Sequence, residues 1–138
     1  MKIWHGFVFL SLAAASVFCK AEAVIVVANT PDKSIHLNRQ QVRDMFMGIV
    51  SPYDFKVIAL SPNNQARVVF NTKVIGLTES RIQSYWAQMR FTGRKTSPVE
   101  LQNEQLLLDF LKENEFSVGY VSSTTNIPEG LTVIFETE

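Results

Sequence analysis

The stretch ALSPNNQARVVF, residues 59–70, joins the end of an apolar run to the start of a helical pattern. The run itself, KVIAL at residues 56–60, is typical of a buried strand. A polar break, SPNN at residues 61–64, precedes a helical repeat of apolar residues. A helix that opens directly after a strand presents free backbone N–H groups and the positive end of its dipole. The stretch therefore predicts a strand–helix unit with a candidate anion site at the helix start.

Two interpretations of this helix start remain open. In the first, Ser61 is a routine N-cap and Pro62 takes the first helical position, which proline favours. In the second, backbone N–H groups near residues 63–65 hold an anion with help from nearby side chains. The candidate ligand residues are Ser61, Asn63, Asn64, Gln65 and Arg67.

A second positively charged segment lies at the end of the third predicted helix. There Arg90, Arg94 and Lys95 surround Thr92 and Gly93. Cations are favourable at a helix C-terminus, so an ordinary exposed loop is one interpretation. A positively charged binding loop is the other.

Strands and helices alternate along the rest of the chain. The predicted strands are residues 24–28, 56–60, 116–121 and 131–135, and the predicted helices begin at Asn38, Ser61, Thr78 and Asn103. The order β-α-β-α-α-α-β-β is typical of an α/β domain. We expect residues 24–138 to form one such domain, with a mostly parallel sheet flanked by helices.

The spacing of apolar residues predicts which helix faces pack inward. The inward sets are Val42, Met45, Phe46 and Ile49 in the first helix, and Ile82, Tyr85, Trp86 and Met89 in the third. Trp86 is therefore predicted to be largely buried. Tyr53 and Phe55 are either exposed contact residues or side chains that pack beside the second strand.

Residues 1–23 have the parts of a secretory signal peptide. Lys2 supplies the positive start, residues 7–18 supply the apolar core, and a small-x-small site follows. We expect cleavage after Ala21 or Ala23, and a periplasmic product that is not inserted in the membrane.

Two kinds of membrane anchor fit this segment poorly. Lys20 and Glu22 stop the apolar run short of the roughly 20 apolar residues that a membrane span needs. A lipid anchor on Cys19 needs small residues before the cysteine, and Phe18 is bulky.

Charge and cysteine content exclude several classes of function. The 138 residues include 13 basic and 13 acidic side chains, and removal of residues 1–23 leaves the charge one unit negative. This balance predicts no nucleic-acid partner and no membrane-surface partner. The only cysteine, Cys19, lies in the signal segment, so the domain is expected to have no disulfide and no thiol chemistry.

Catalytic residues are not indicated either. His36 is the one histidine beyond residues 1–23, and no serine or cysteine partner is evident for it. Glu113 and Glu115 lie at a predicted helix end, where carboxylates are typically exposed to solvent. No metal-ligand spacing and no glycine-rich phosphate loop is present. We predict a protein that is not an enzyme and that carries no metal or cofactor.

Four segments, in their order and spacing, resemble the phosphate ABC-transporter substrate-binding proteins. They are LNRQQVRDMFMG (37–48), KVIALSPNNQARVVF (56–70), YWAQMRFTG (85–93) and FLKENEFSVGYVSS (110–123). The resemblance is to the short members of the periplasmic-binding-protein-like class that bear a signal peptide, and it covers about residues 24–135. It implies a single lobe of the type II periplasmic-binding-protein fold, whereas full-length members close two lobes on an oxyanion.

The phosphate signature of that family is altered in this sequence. Phosphate-binding members carry Arg at the end of the second strand and Ser-Gly-Thr at the following helix start. Leu60 stands at the arginine position, and Asn64, Gln65 and Ala66 stand at the triplet. Asn64 and Gln65 could still offer amide donors, with Arg67 nearby.

The sequence thus supports two functional hypotheses. In the first, the protein binds phosphate or another small oxyanion in the periplasm, for transport or sensing. In the second, it is a non-catalytic interaction module, a single lobe that docks on an envelope protein, a membrane protein or a second copy of itself.

Overall fold

The structure, a computed structural model, describes residues 22–138. The predicted signal peptide lies outside the described residues except for Glu22 and Ala23, and Cys19 lies outside them as well. Within the described part of the chain, no helix combines the length and the apolar composition that a membrane crossing needs.

The helices and strands follow the predicted order with one addition. The strands are β1 (Val24–Asn29), β2 (Lys56–Leu60), β3 (Val99–Leu101), β4 (Ser117–Ser122) and β5 (Thr132–Glu136), and the helices are α1 (Arg39–Phe46), α2 (Gln65–Phe70), α3 (Glu79–Phe91) and α4 (Glu104–Glu113). A π-helical turn, Asn71–Ile75, continues α2. It stops at Gly76, whose φ of 73° is a conformation that glycine adopts without strain.

The five strands form one sheet in the order β3-β2-β4-β1-β5. β2 pairs in parallel with β3 and β4, whereas β1 pairs antiparallel with β4 and β5. The predicted α/β class, a sheet flanked by helices, is confirmed. Four of the five strands run in the same direction, which agrees with the predicted mostly parallel sheet. Because β1 runs in the opposite direction between β4 and β5, both of its pairings are antiparallel.

β1 lies near the centre of the sheet between two paired strands. In its register, Val26 faces Tyr120 on one neighbour and Phe135 on the other. Its first five residues are all buried. The continuous apolar run at residues 24–28 therefore reflects burial on both faces.

The core between the sheet and the helices contains a cluster of aromatic rings. The rings of Phe70 and Tyr120 stack with centroids 4.0 Å apart, and Phe46 packs against Phe70 at 4.8 Å. Trp86 is 6% exposed, which confirms its predicted burial.

Some of the predicted side-chain positions are corrected. Ile49 was expected on the inward face of the first helix, but it is 43% exposed because α1 ends at Phe46 and the helical period stops there. Tyr53 and Phe55 pack against the core and stack on each other at 5.8 Å, so the interpretation that they pack beside the second strand is the right one.

One helix start was also predicted wrongly, and one strand was missed. The helix after β2 begins at Gln65 rather than near Ser61, so Pro62 is not its first residue. Residues 92–98 form a loop, as expected, but a strand that was not predicted, β3, follows Pro98. It is a strand of only three residues at the sheet edge, too short to leave an alternating pattern.

Candidate functional site

An open cleft lies where β2 and β4 end. Because the two strands are parallel, their carboxyl ends meet at the same edge of the sheet, which is where ligand sites of open α/β sheets form. Asn64, Gln65 and Ala66 line one side of the cleft at the start of α2. The hydroxyl side chains of residues 122–125 line the other side. The cleft is therefore rich in hydrogen-bonding groups.

The start of α2 is capped from within the chain. The Asn64 side-chain oxygen accepts a hydrogen bond from the backbone N–H of Ala66 at 2.9 Å, and the backbone N–H of Asn64 donates to the carbonyl of Ser61 at 2.9 Å. The Ser61 hydroxyl donates to the Asn63 side-chain oxygen at 2.7 Å. Part of the donor capacity expected for an anion is thus already used by this turn.

Two carboxylates line the same cleft. Glu104, in the first turn of α4, accepts hydrogen bonds from the hydroxyl of Thr125 and from the backbone N–H of Ser122. Glu22 accepts a hydrogen bond from the Gln65 side-chain amide at 3.0 Å. Among the described residues, no lysine or arginine lines this cleft. The side chains that line it therefore carry a net negative charge, and Lys73 lies beside them, where its ammonium donates a hydrogen bond to the backbone carbonyl of Glu22.

Arg67 is the charged residue of α2, and it is buried away from the cleft. It is 5% exposed, and its guanidinium donates two hydrogen bonds to the Glu79 carboxylate, at 2.6 and 2.8 Å. A third bond joins it to Glu100 at 3.1 Å, and a fourth joins it to the Leu60 carbonyl at 2.8 Å. The positive charge of Arg67 is neutralised within the fold.

This pairing shifts the acid–base properties of both partners. Desolvation, the largest influence, works against charge on Arg67 and Glu79 alike, but the hydrogen bonds and charge attraction between them outweigh it. The pKa of Arg67 is raised and that of Glu79 is lowered. Asn71 and Gln83 also donate hydrogen bonds to Glu79. Both groups are therefore held in their charged forms at neutral pH.

A small cavity lies beside Arg67 and is lined mainly by core residues, among them Phe70, Trp86 and Tyr120. The Tyr120 hydroxyl accepts a hydrogen bond from the backbone N–H of Leu60 at 3.1 Å. Burial raises the pKa of this phenol, so it remains neutral. The bond joins β4 to the end of β2 where the direct pairing of these strands has stopped at Val57.

The predicted ligand residues occupy three different settings. Asn64 and Gln65 line the cleft, Ser61 and Asn63 are bonded to each other in the turn before it, and Arg67 lies in the buried network. His36 is exposed. Within residues 22–138, no group of three or more metal-binding side chains lies together.

Sequence reasoning did not identify the hydroxyl run at residues 122–125, nor Glu104 and Glu22, as cleft residues. A signal for the hydroxyl run was present in the sequence. The segment VSSTT (121–125) lies at the end of the predicted strand 116–121, which was expected to run parallel to the predicted strand 56–60. No comparable signal marks the two carboxylates, which reach the cleft from distant parts of the chain.

The comparisons with known proteins identify fold neighbours only. No family model and no curated protein sequence matches this chain. An ABC-type phosphate transport receptor from Vibrio cholerae has a similar structure, with a TM-score of 0.61 and 15% identity over 82% of this chain. A Clostridium perfringens protein assigned to the phosphate ABC transporter substrate-binding proteins, solved with phosphate bound, has a TM-score of 0.62 and 11% identity over 82% of this chain. PstS from Borrelia burgdorferi has a TM-score of 0.54 and 10% identity over 74% of it.

The matched region amounts to less than half of each neighbour, namely 45%, 44% and 41% of their chains. The five-stranded open sheet with its flanking helices matches a single lobe of a periplasmic-binding-protein-like fold. The class of fold predicted from the sequence is therefore correct.

Proposed function

We propose that this chain is a non-catalytic binding domain of the periplasmic-binding-protein type, exported to the periplasm, whose cleft holds a basic segment of an envelope or membrane protein. The charge of the cleft is the observation that carries the proposal. Glu104 lines it, Glu22 lines it as well when cleavage falls after Ala21, and no described lysine or arginine lines it. A lysine or arginine from a partner would pair with Glu104, and with Glu22 where it is retained, and would donate hydrogen bonds to these carboxylates.

The open shape of the cleft also supports a protein partner. A small ion in an open cleft stays hydrated, and its attraction to the protein is weakened by the high dielectric constant of water. A polypeptide segment covers a larger area and excludes that water. The hydroxyl groups of residues 122–125 can then bond the backbone of the bound segment.

A small oxyanion, held for transport or sensing, is the second candidate. It is supported by the position of the cleft at the start of α2, and by the similarity to proteins whose names refer to phosphate transport. However, inorganic phosphate is a mixture of the monoanion and the dianion at neutral pH. It would meet Glu22 and Glu104 with Arg67 already paired elsewhere, and like charges placed together oppose binding.

Mapping of backbone amide shifts by NMR tests the proposal and locates the site. The probes are the peptide Gly-Lys-Gly-Lys-Gly and, separately, inorganic phosphate, each compared with a matched chloride titration. We expect the peptide to shift the amides of Gln65, Ala66 and residues 122–125. Phosphate should shift them no more than chloride does.

Glu104→Gln should weaken the peptide-induced shifts because it removes one carboxylate from the cleft. Glu113→Gln, on the exposed end of the same helix, is the matched control and should leave them unchanged. If phosphate alone gives saturable shifts at these amides, the oxyanion hypothesis replaces the proposed one.

A further inference from the structure

The C-terminal end of α3 forms a projecting tip that is both apolar and positively charged. Phe91, the last residue of α3, is 93% exposed. Arg90, Arg94 and Lys95 surround it in the chain, and all three are exposed. Within residues 22–138, no carboxylate forms a salt bridge with any of them. We call these four residues the α3 tip.

The backbone holds the α3 tip in a defined shape. The N–H of Gly93 donates to the carbonyl of Arg90 at 3.1 Å, and the N–H of Arg94 donates to the carbonyl of Met89 at 3.2 Å. Gly93 has a φ of 68°, which completes a Schellman ending of the helix. The tip is therefore an ordered extension of α3.

A second loop adds apolar surface near the tip. A Cβ placed on Gly48 would lie 3.0 Å from Lys95 Cδ, so the loop after α1 is in contact with the α3 tip. Two residues beyond Gly48, Val50 is 92% exposed. The nearest acidic residue of that loop is Asp54, which lines the groove beside residues 96–99. The tip and this loop together carry three cations and one carboxylate.

The tip and the cleft lie at opposite ends of the sheet. β3 begins at Val99, directly after the loop of the α3 tip, and pairs in parallel with β2. The cleft is built beyond the other end of β2, after Leu60. A surface that binds the tip would leave the cleft accessible.

We propose that the α3 tip binds an anionic phospholipid surface. An exposed phenylalanine flanked by cations has the chemistry of an interfacial contact, in which the ring enters the headgroup region and the cations pair with lipid phosphates. The balanced charge of the whole chain predicted no membrane-surface partner, but the charge is unevenly distributed, with carboxylates at the cleft and cations at the tip. The contact is peripheral and requires no membrane-spanning segment.

Co-sedimentation with vesicles tests this proposal. The purified protein is mixed with vesicles of phosphatidylcholine alone, or of equal parts phosphatidylcholine and phosphatidylglycerol. We expect binding to the anionic vesicles only, weakened by sodium chloride because salt screens the charge attraction. Arg94→Gln and Lys95→Gln should each lower the partition coefficient by about fivefold. Phe91→Ser should lower it by about tenfold.

Matched controls come from exposed residues elsewhere. Arg81→Gln lies at the opposite end of α3 and Leu106→Ser lies on α4, and neither should change vesicle binding. Glu104→Gln should also leave it unchanged, which separates this test from that of the cleft.

Three results would overturn the proposal. They are equal binding to neutral and anionic vesicles, tip variants that bind as well as the parent, and binding to a soluble polyglutamate peptide without binding to anionic vesicles. The last result would assign the tip to an acidic protein partner instead.

Discussion

The guanidinium of Arg67 binds two carboxylates, Glu79 and Glu100, which removes from the cleft the cation that the sequence had suggested for it. These partners lie 12 and 33 residues further along the chain. A local pattern cannot reveal a pairing over such distances, so Arg67 could be identified as charged and close to the helix start, but not as buried. Trp86 was easier to place, because its burial follows from the spacing within one helix.

Glu79 should make stability depend on pH in the acidic range. Its folded pKa is lowered from the ordinary value of 4.5, so its ionised form stabilises the fold above that value. This contribution is lost as the pH falls from 4.5 through the lower folded pKa. In urea unfolding, the stability difference between the parent and Glu79→Gln should shrink across this window. Glu113→Gln is the control for an exposed carboxylate, and a difference that grows on acidification would contradict the pairing.

Trp86→Ala should destabilise the protein by roughly 3–5 kcal/mol, because it opens a cavity under α3 where the indole is now 6% exposed. Urea unfolding followed by circular dichroism measures this free energy. Phe91→Ala, which removes an exposed ring from the same helix, is the matched control and should change stability by less than about 0.5 kcal/mol. A loss of under about 1 kcal/mol for Trp86→Ala would mean that the ring contributes little to the core.

At the scale of elements, helix starts could be predicted because their capping hydrogen bonds join residues that are close in sequence. Asn38 and Gln41 form a reciprocal capping box at α1, with both bonds at 2.8 Å, and the pattern that predicts it spans only four residues. β3 was missed because an edge strand of three residues is defined by its partner β2 and carries no period of its own. The start of α2 was placed early because Ser61 and Pro62 suit a helix start as well as they suit the turn that precedes it.

The cap of α2 permits a substitution with opposite effects on two ligands. Asn64→Asp keeps an oxygen that can accept from the N–H of Ala66, and an acidic residue suits a helix N-terminus, so stability should be nearly unchanged. The added negative charge should strengthen binding of the lysine peptide and abolish any binding of phosphate. Asn64→Ala, which removes the cap, should cost about 1 kcal/mol in a thermal melt. Weaker peptide binding by a fully folded Asn64→Asp protein would contradict the proposed cleft chemistry.

At the scale of the whole molecule, the sequence predicted the fold because its strong signals, apolar strands and capped helices, are local and mutually consistent. The cleft was predicted only in part. Asn64 and Gln65 belong to one continuous segment, whereas Glu22 and Glu104 are brought to them by the tertiary fold. The charge of a site assembled from distant segments cannot be summed before the fold is known.

Export is the prediction that concerns the whole chain. The residues before Val24 predict cleavage after Ala21 or Ala23, and mass spectrometry of protein recovered from the periplasm would identify the new N-terminus. Both cuts leave a new α-amino group at the cleft, and only cleavage after Ala21 retains Glu22 there. An intact Met1, or a lipid on Cys19, would contradict the expectation.

The central claim is that the cleft accepts a basic segment of a partner rather than free phosphate. Calorimetric titration of the purified protein with Gly-Lys-Gly-Lys-Gly, and separately with phosphate, tests it most directly. The account predicts saturable heat with the peptide, reduced by added sodium chloride and by Glu104→Gln, and no heat with phosphate beyond a chloride control. Saturable binding of phosphate without binding of the peptide would contradict it.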